Sequence, residues 1–122
     1  MKIIKEKISS VPDHSVSRKD IEIVIRHIPK DWVGIANIFK ISSQLFNNSK
    51  WDRPVIENNA TFLIMSRGFE RNYIIKELLV ELAIRPSGLG YSMKAHHLNK
   101  EQRNKLEKLI CPLYEAITTE LK

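Results

Sequence analysis

Apolar residues recur along the chain with two spacings, one typical of helices and one typical of strands. The first helix is predicted from an N-cap at Ser17, with Asp20 as its capping-box partner, to Pro29. Its apolar residues follow the i, i+3, i+4, i+7 spacing of a single helical face. That face consists of Ile21, Val24, Ile25 and Ile28.

Two later segments carry the same helical period. One runs from about Glu70 to Ile84, with an apolar stripe formed by Ile74, Ile75, Leu78, Leu79 and Leu82. The other begins at Asn99, which forms a capping-box pattern with Gln102. Its stripe consists of Leu106, Leu109, Ile110, Leu113, Ala116 and Ile117, with Cys111 expected in the core beside it. Pro112 lies inside this stripe and is expected to kink the helix or to divide it in two.

Shorter apolar runs in the middle of the chain predict strands. Val55–Ile56 and Thr61–Met65 form a hairpin pattern, with residues 57–60 as the loop between them. Residues 31–44 fit both a helical stripe and a buried strand. We favour a strand over Ile35–Ile41, paired with Thr61–Met65, because β-branched and aromatic residues dominate the segment.

Together these elements predict an α+β fold, in which a small sheet packs against about three helices and the long last helix is kinked near Pro112. A chain of 122 residues with 43% hydrophobic residues can form one core without metal or disulfide bonds. We place a single globular domain at residues 16–122. Residues 1–15 are expected to be flexible or to contain a short strand at Ile3-Ile4.

Charge and cysteine content narrow the function classes. The net charge of +6 favours a negatively charged partner, either nucleic acid or an acidic protein. Cys111 is the only cysteine, which excludes an intramolecular disulfide and a C-x-x-C zinc site. There is no signal-peptide pattern and no apolar run near the roughly 20 residues that span a bilayer. We therefore expect a cytoplasmic protein with no membrane partner and no cofactor.

The order of the predicted elements resembles that of minimal zincin metallopeptidases. These have a helix ending in a proline, a strand, an edge strand, and then a helix with the motif H-E-x-x-H. The matching segments here are Ile21–Pro29, Ile35–Ile41, Thr61–Met65 and Leu78–Ile84. The last segment, Leu-Leu-Val-Glu-Leu-Ala-Ile, resembles the family's L-L-H-E-L-x-H.

The sequence departs from this family at the residues that hold the metal. In H-E-x-x-H the two histidines bind zinc and the glutamate is the general base. Glu81 keeps the glutamate position, but Val80 and Ile84 stand where the histidines would be. The resemblance therefore implies a pseudoenzyme, that is, a degenerate zincin-like scaffold that serves as a non-catalytic binding or interaction module.

The sequence also allows a metal site with other ligands, and a catalytic function other than peptidase activity. Glu77 and Glu81 are one helical turn apart, and with His96 or His97 they are the alternative candidates for metal ligands. Two acidic residues at this spacing are also typical of a solvated helix face. His96 and His97 follow Lys94, and this cluster indicates a third function, a small nuclease.

If residues 35–46 are helical instead, they resemble the helix-turn-helix of winged-helix DNA-binding proteins. The hairpin of residues 55–65 would then be the wing. Lys40 replaces the usual glycine of the turn, and Ser49 occupies a position that is usually apolar. This resemblance implies a basic nucleic-acid-binding regulator, because glutamine and asparagine read adenine edges and lysine holds phosphates. Its contact residues would be Ser43, Gln44, Asn47, Asn48 and Lys50.

Overall fold

A computed structural model describes residues 2–8, 11–33, 38–45, 54–58, 60–84 and 98–122 of the chain. Its strands are β1 (Lys2–Lys5), β2 (Ile38–Ile41), β3 (Val55–Asn58) and β4 (Thr61–Ile64). Its helices are α1 (Arg18–His27), α2 (Lys30–Val33), α3 (Arg71–Ala83) and α4 (Lys100–Glu120). The predicted α+β class, with a small sheet and a long C-terminal helix, is confirmed. No helix within these ranges is long and apolar enough to cross a membrane.

The four strands form one mixed sheet in the order β1-β2-β4-β3. Strands β1, β2 and β4 are parallel, and β3 pairs antiparallel with β4 at the edge. The strand predicted in the ambiguous segment is confirmed for Ile38–Ile41, and it pairs with Thr61–Ile64 as expected. The remaining predicted positions, 35–37, lie outside the described residues. The helical alternative is wrong for Ile38 and Phe39, because both residues are hydrogen-bonded into the sheet between β1 and β4.

At both edges of the sheet, the strands include residues that the sequence pattern assigned to the N-terminal segment or to a loop. The short strand considered at Ile3-Ile4 is β1, so this N-terminal segment is part of the sheet. In the β3–β4 hairpin, Glu57 and Asn58 belong to the strand and not to the loop. The turn is closed by Ala60, whose φ of 67° is in the left-handed region and whose N–H donates to Glu57 Oε1 over 3.0 Å.

Local capping sets where the first and last helices begin. Both predicted capping boxes are confirmed: Ser17 pairs reciprocally with Asp20, and Asn99 pairs with Gln102. The stop predicted by Pro29 is also observed, since α1 ends at His27. Short polar side chains satisfy the first free N–H groups of a helix, so these starting points are encoded within four residues of sequence.

Helix α3 lies at the centre of the fold, with apolar neighbours on two sides. It packs against the sheet chiefly at β3, whose Val55 belongs to the same hydrophobic cluster, and it also packs against α4. Its predicted apolar stripe is confirmed, since Ile74, Ile75, Leu78, Leu79 and Leu82 are all at most 1% exposed. Val80, Ala83 and Ile84 are buried as well. A helix that is apolar around most of its circumference is typical of a buried position between two layers.

The last helix differs from expectation in two ways. It is one continuous helix through Pro112, so the predicted division in two is wrong. Pro112 and Lys108 are both exposed, and water can bond the carbonyl that loses its helical partner. The buried stripe is also narrower than predicted. Leu109 is 46% exposed and Cys111 is exposed, because only one side of α4 contacts α3 and α1.

Candidate functional site

The two positions that would hold zinc in a metallopeptidase are core positions in this chain. Val80 is 0% exposed and Ile84 is 2% exposed, and both belong to the main hydrophobic cluster. Glu81, which stands between them in the sequence, is also buried. This part of α3 therefore contributes apolar packing where a catalytic helix would present imidazole nitrogens.

An ion-pair network fills the space between α3 and α4 next to this segment. Arg103 donates from Nη2 to Glu77 Oε1 over 2.6 Å, and from Nε to Glu107 Oε1 over 3.1 Å. Lys76 lies 3.6 Å from the same oxygen of Glu107. Partial burial acts to lower the pKa of the Arg103 guanidinium, but the hydrogen bonds and negative charge of Glu77 and Glu107 outweigh it and raise that pKa. The network joins the two helices.

These contacts bear on the alternative metal ligands. Glu77 and Glu81 are 2% and 5% exposed, so the solvated-face interpretation is wrong for both. The Glu77 carboxylate is bound by an arginine, which competes with any cation for the same oxygen atoms. His96 and His97 lie outside the described residues, as does Lys94. Within the described ranges, no three histidine, cysteine or acidic side chains are grouped as metal ligands would be.

A pocket of about 310 Å³ lies where the parallel strands β1, β2 and β4 end. We call it the strand-end pocket. Its polar wall consists of Glu6, Lys40, Ser42, Ser43 and Gln44, and its apolar floor consists of Leu63 and Met65. Ser43 and Gln44, two of the residues predicted to contact nucleic acid, both line this pocket, but they follow a strand and are not on a recognition helix. Asn47, Asn48 and Lys50 lie outside the described residues.

The Glu6 carboxylate of the strand-end pocket is held by several polar contacts. Its Oε1 accepts a hydrogen bond from the backbone N–H of Ser43 over 2.8 Å, and another from Ser43 Oγ over 3.3 Å. Its Oε2 lies 3.5 Å from Lys40 Nζ. The backbone hydrogen bond from Ser43 holds the pKa of the Glu6 carboxyl below its usual value, and Lys40 adds to this effect while partial burial opposes it. Glu6 is therefore a stable anion at neutral pH.

The N-terminal segment after β1 folds back beside the strand-end pocket. His14 donates from Nε2 to the Glu6 carbonyl over 2.8 Å. The buried Arg67 donates to the carbonyls of Pro12 and Ser43, which joins this segment to the loop after β2. The pocket wall is consequently held by side chains from three separate parts of the chain.

Glu6 and Lys40 are the two charged residues that line the described part of the pocket, and the sequence pattern indicated neither. They are far apart in the chain, and only the parallel register of Ile4 with Lys40 places them side by side. Parallel pairing leaves no turn signal between its two strands, so no local pattern reveals it.

Comparison with known protein families, curated proteins and solved structures finds no match to this chain.

Proposed function

We propose that the chain is a non-catalytic binding module on a degenerate zincin-like scaffold. The observation that carries this proposal is the burial of Val80 and Ile84 in the core, at 0% and 2% exposure. Apolar side chains cannot ligate zinc, and these two contribute to stability instead. The elements α1, β2, β4 and α3 follow one another along the chain in the order that the resemblance implies. The strand β4 differs from that pattern, because it lies between β2 and β3 and is not at the edge of the sheet.

The partner proposed for this module is an acidic protein segment. Lys2, Lys5 and Lys7 are exposed on and just after the edge strand β1. Within the described ranges, none of the three forms an ion pair. The acidic residue between them, Glu6, is bonded to Ser43 and Lys40. The edge therefore presents unpaired positive charge, which attracts negatively charged partners over a distance of about 8–10 Å at physiological salt.

Nucleic acid is the second candidate, and the same net charge of +6 favours it. The geometry supports nucleic-acid binding less than binding of an acidic protein, because the strand β2 stands where the helix-turn-helix prediction placed the turn between two helices. Without a recognition helix, Ser43 and Gln44 lack the support that would carry them into a major groove. An acidic protein is therefore the favoured partner.

Fluorescence anisotropy with three labelled probes tests this proposal: a glutamate-rich peptide, a mixed-sequence duplex DNA and a single strand. The wild type should bind the peptide, with an affinity that falls from low to physiological salt. The triple variant Lys2→Gln, Lys5→Gln, Lys7→Gln should lose most of this binding. The matched triple variant Lys100→Gln, Lys105→Gln, Lys108→Gln removes the same charge from α4 and should keep it.

Each other outcome counts against part of the proposal. If no probe binds at low salt, the charged partner is wrong. If the nucleic acids bind more tightly than the peptide, the regulator replaces the acidic protein as the leading function. Equal losses in the two triple variants would show that net charge alone is responsible, and that β1 is not the contact surface.

A further inference from the structure

The strand-end pocket lies on the face of the sheet that the described helices do not cover. Side chains alternate between the two faces of a strand, so register assigns each residue to one face. Ile4, Lys40, Leu63 and Ile56 form one row on this face, and Glu6, Ser42 and Met65 extend it by two residues along each strand. The core cluster that includes the helices draws on the opposite face, through Phe39, Ile41, Phe62 and Ile64.

The strand-end pocket holds one negative and one positive charge side by side. Glu6 is fixed by two hydrogen bonds from Ser43, and its Oε2 faces Lys40. The distance of 3.5 Å between Oε2 and Lys40 Nζ is longer than an ordinary N–H···O bond of about 2.7–3.2 Å, so the ammonium keeps donors for a ligand. Ser42 Oγ accepts from the Gln44 N–H over 3.2 Å, and its hydroxyl also bonds the Glu6 carboxylate.

The charges select against a ligand of only one sign. An anion would have to compete with the fixed carboxylate of Glu6 for Lys40, and a cation would meet Lys40 beside Glu6. Glu6 and Lys40 are 33% and 38% exposed, so a ligand of one sign gives up the attraction of this pair without the gain of a second contact. A ligand with adjacent positive and negative groups satisfies both residues at once. The apolar floor of Leu63 and Met65 adds room for a hydrocarbon side chain, and a volume of about 310 Å³ is at the lower end of small-molecule sites.

We propose that the strand-end pocket binds a small zwitterion with an apolar side chain, of the α-amino acid class. The ligand's ammonium lies against Glu6 Oε2, and its carboxylate accepts from Lys40 Nζ. Its side chain covers Leu63 and Met65. This site is separate from the exposed lysines of β1, so it stands or falls independently of the acidic partner.

Titration of the ¹⁵N-labelled full chain followed by ¹H–¹⁵N NMR tests the site, with L-leucine as the probe. Saturable shifts should appear at the amides of Ser42, Ser43 and Gln44. Isopentylamine lacks the carboxylate and 4-methylpentanoate lacks the ammonium, so each should bind at least about tenfold more weakly, the equivalent of about 1.4 kcal/mol. Equal affinity for either analogue would overturn the assignment of a zwitterion.

Variants locate the binding. Lys40→Gln should weaken L-leucine binding at least about tenfold, because it removes one of the two charges. Lys76→Gln is the matched control, since it removes a lysine that lies 3.6 Å from Glu107, away from the pocket, and it should leave the affinity unchanged. Absence of saturable shifts at Ser42–Gln44 in the folded wild type, or an unchanged affinity in Lys40→Gln, would overturn the proposal.

Discussion

Arg103 on α4 donates a hydrogen bond of 2.6 Å to Glu77 on α3, and both side chains lie largely out of solvent, at 19% and 3% exposure. The pair joins the central helix to the helix that covers it. Glu77 lies one helical turn before Glu81, where the resemblance would put a catalytic centre, and Arg103 binds its carboxylate. The same contact thus stabilises the fold and removes a candidate metal ligand.

Removing the arginine should destabilise the protein strongly. Arg103→Ala removes the guanidinium that binds the buried Glu77 carboxylate, and loss of one member of a buried pair costs about 3–5 kcal/mol. Lys105→Ala removes an equal charge from the exposed pair with Glu101 and should cost under about 1 kcal/mol. Denaturant unfolding of both variants measures the difference. A similar small loss in each would show that the Glu77–Arg103 pair is not effectively buried.

Truncation of the α3 stripe should have the cost of a core mutation. Leu78 is 0% exposed, and Leu78→Ala should lower the free energy of unfolding by about 2–5 kcal/mol through lost burial and a residual cavity. Leu109→Ala makes the same chemical change at a residue that is 46% exposed, and it should cost much less. A loss below about 1 kcal/mol for Leu78→Ala would place α3 at the periphery of the fold.

A substitution in the hairpin turn should stabilise the protein, whereas the two substitutions above destabilise it. Ala60 has a φ of 67°, a conformation that costs an ordinary residue about 1–2 kcal/mol and glycine almost nothing. Ala60→Gly should therefore raise the free energy of unfolding by up to about 1 kcal/mol. Ala116→Gly, on the exposed side of α4, should lower it by about 1 kcal/mol. If Ala60→Gly destabilises the protein as much as Ala116→Gly does, the left-handed turn is wrong.

The features that could be predicted from sequence are those encoded within a few residues. The capping pairs Ser17–Asp20 and Asn99–Gln102 fix helix starts locally. The β-branched and aromatic residues of the segment Ile35–Ile41 correctly indicated a strand for Ile38–Ile41. The apolar period of α3 identified its buried side chains for the same reason.

The features that could not be predicted depend on contacts between distant segments. Glu6 meets Lys40 only because β1 and β2 are parallel, and Glu77 meets Arg103 only because α4 covers α3. A helical stripe also does not show how much of it a neighbour covers. For this reason Leu109 was expected in the core and is 46% exposed.

The pH dependence of stability should contain a contribution from Glu6. Its folded pKa is lowered from 4.5, chiefly by the Ser43 backbone N–H, so the stabilisation is fully present above about pH 4.5 and is lost as the pH falls through the lowered value. The difference in unfolding free energy between the wild type and Glu6→Gln should be largest at neutral pH and should shrink on acidification. The pKa of Glu120 is also lowered, chiefly by its hydrogen bond with His27, but this group is present in both proteins and cancels. A difference that does not change with pH would contradict the assigned role of Ser43.

The proposal of a non-catalytic scaffold depends most directly on the absence of a tightly bound zinc ion. The measurement is the zinc content of the purified wild-type chain after dialysis without chelator, determined by mass spectrometry with inductively coupled plasma and expressed per folded chain. We predict well under one equivalent, because Val80 and Ile84 are apolar core residues at the two histidine positions. One tightly held zinc ion per chain would contradict the account.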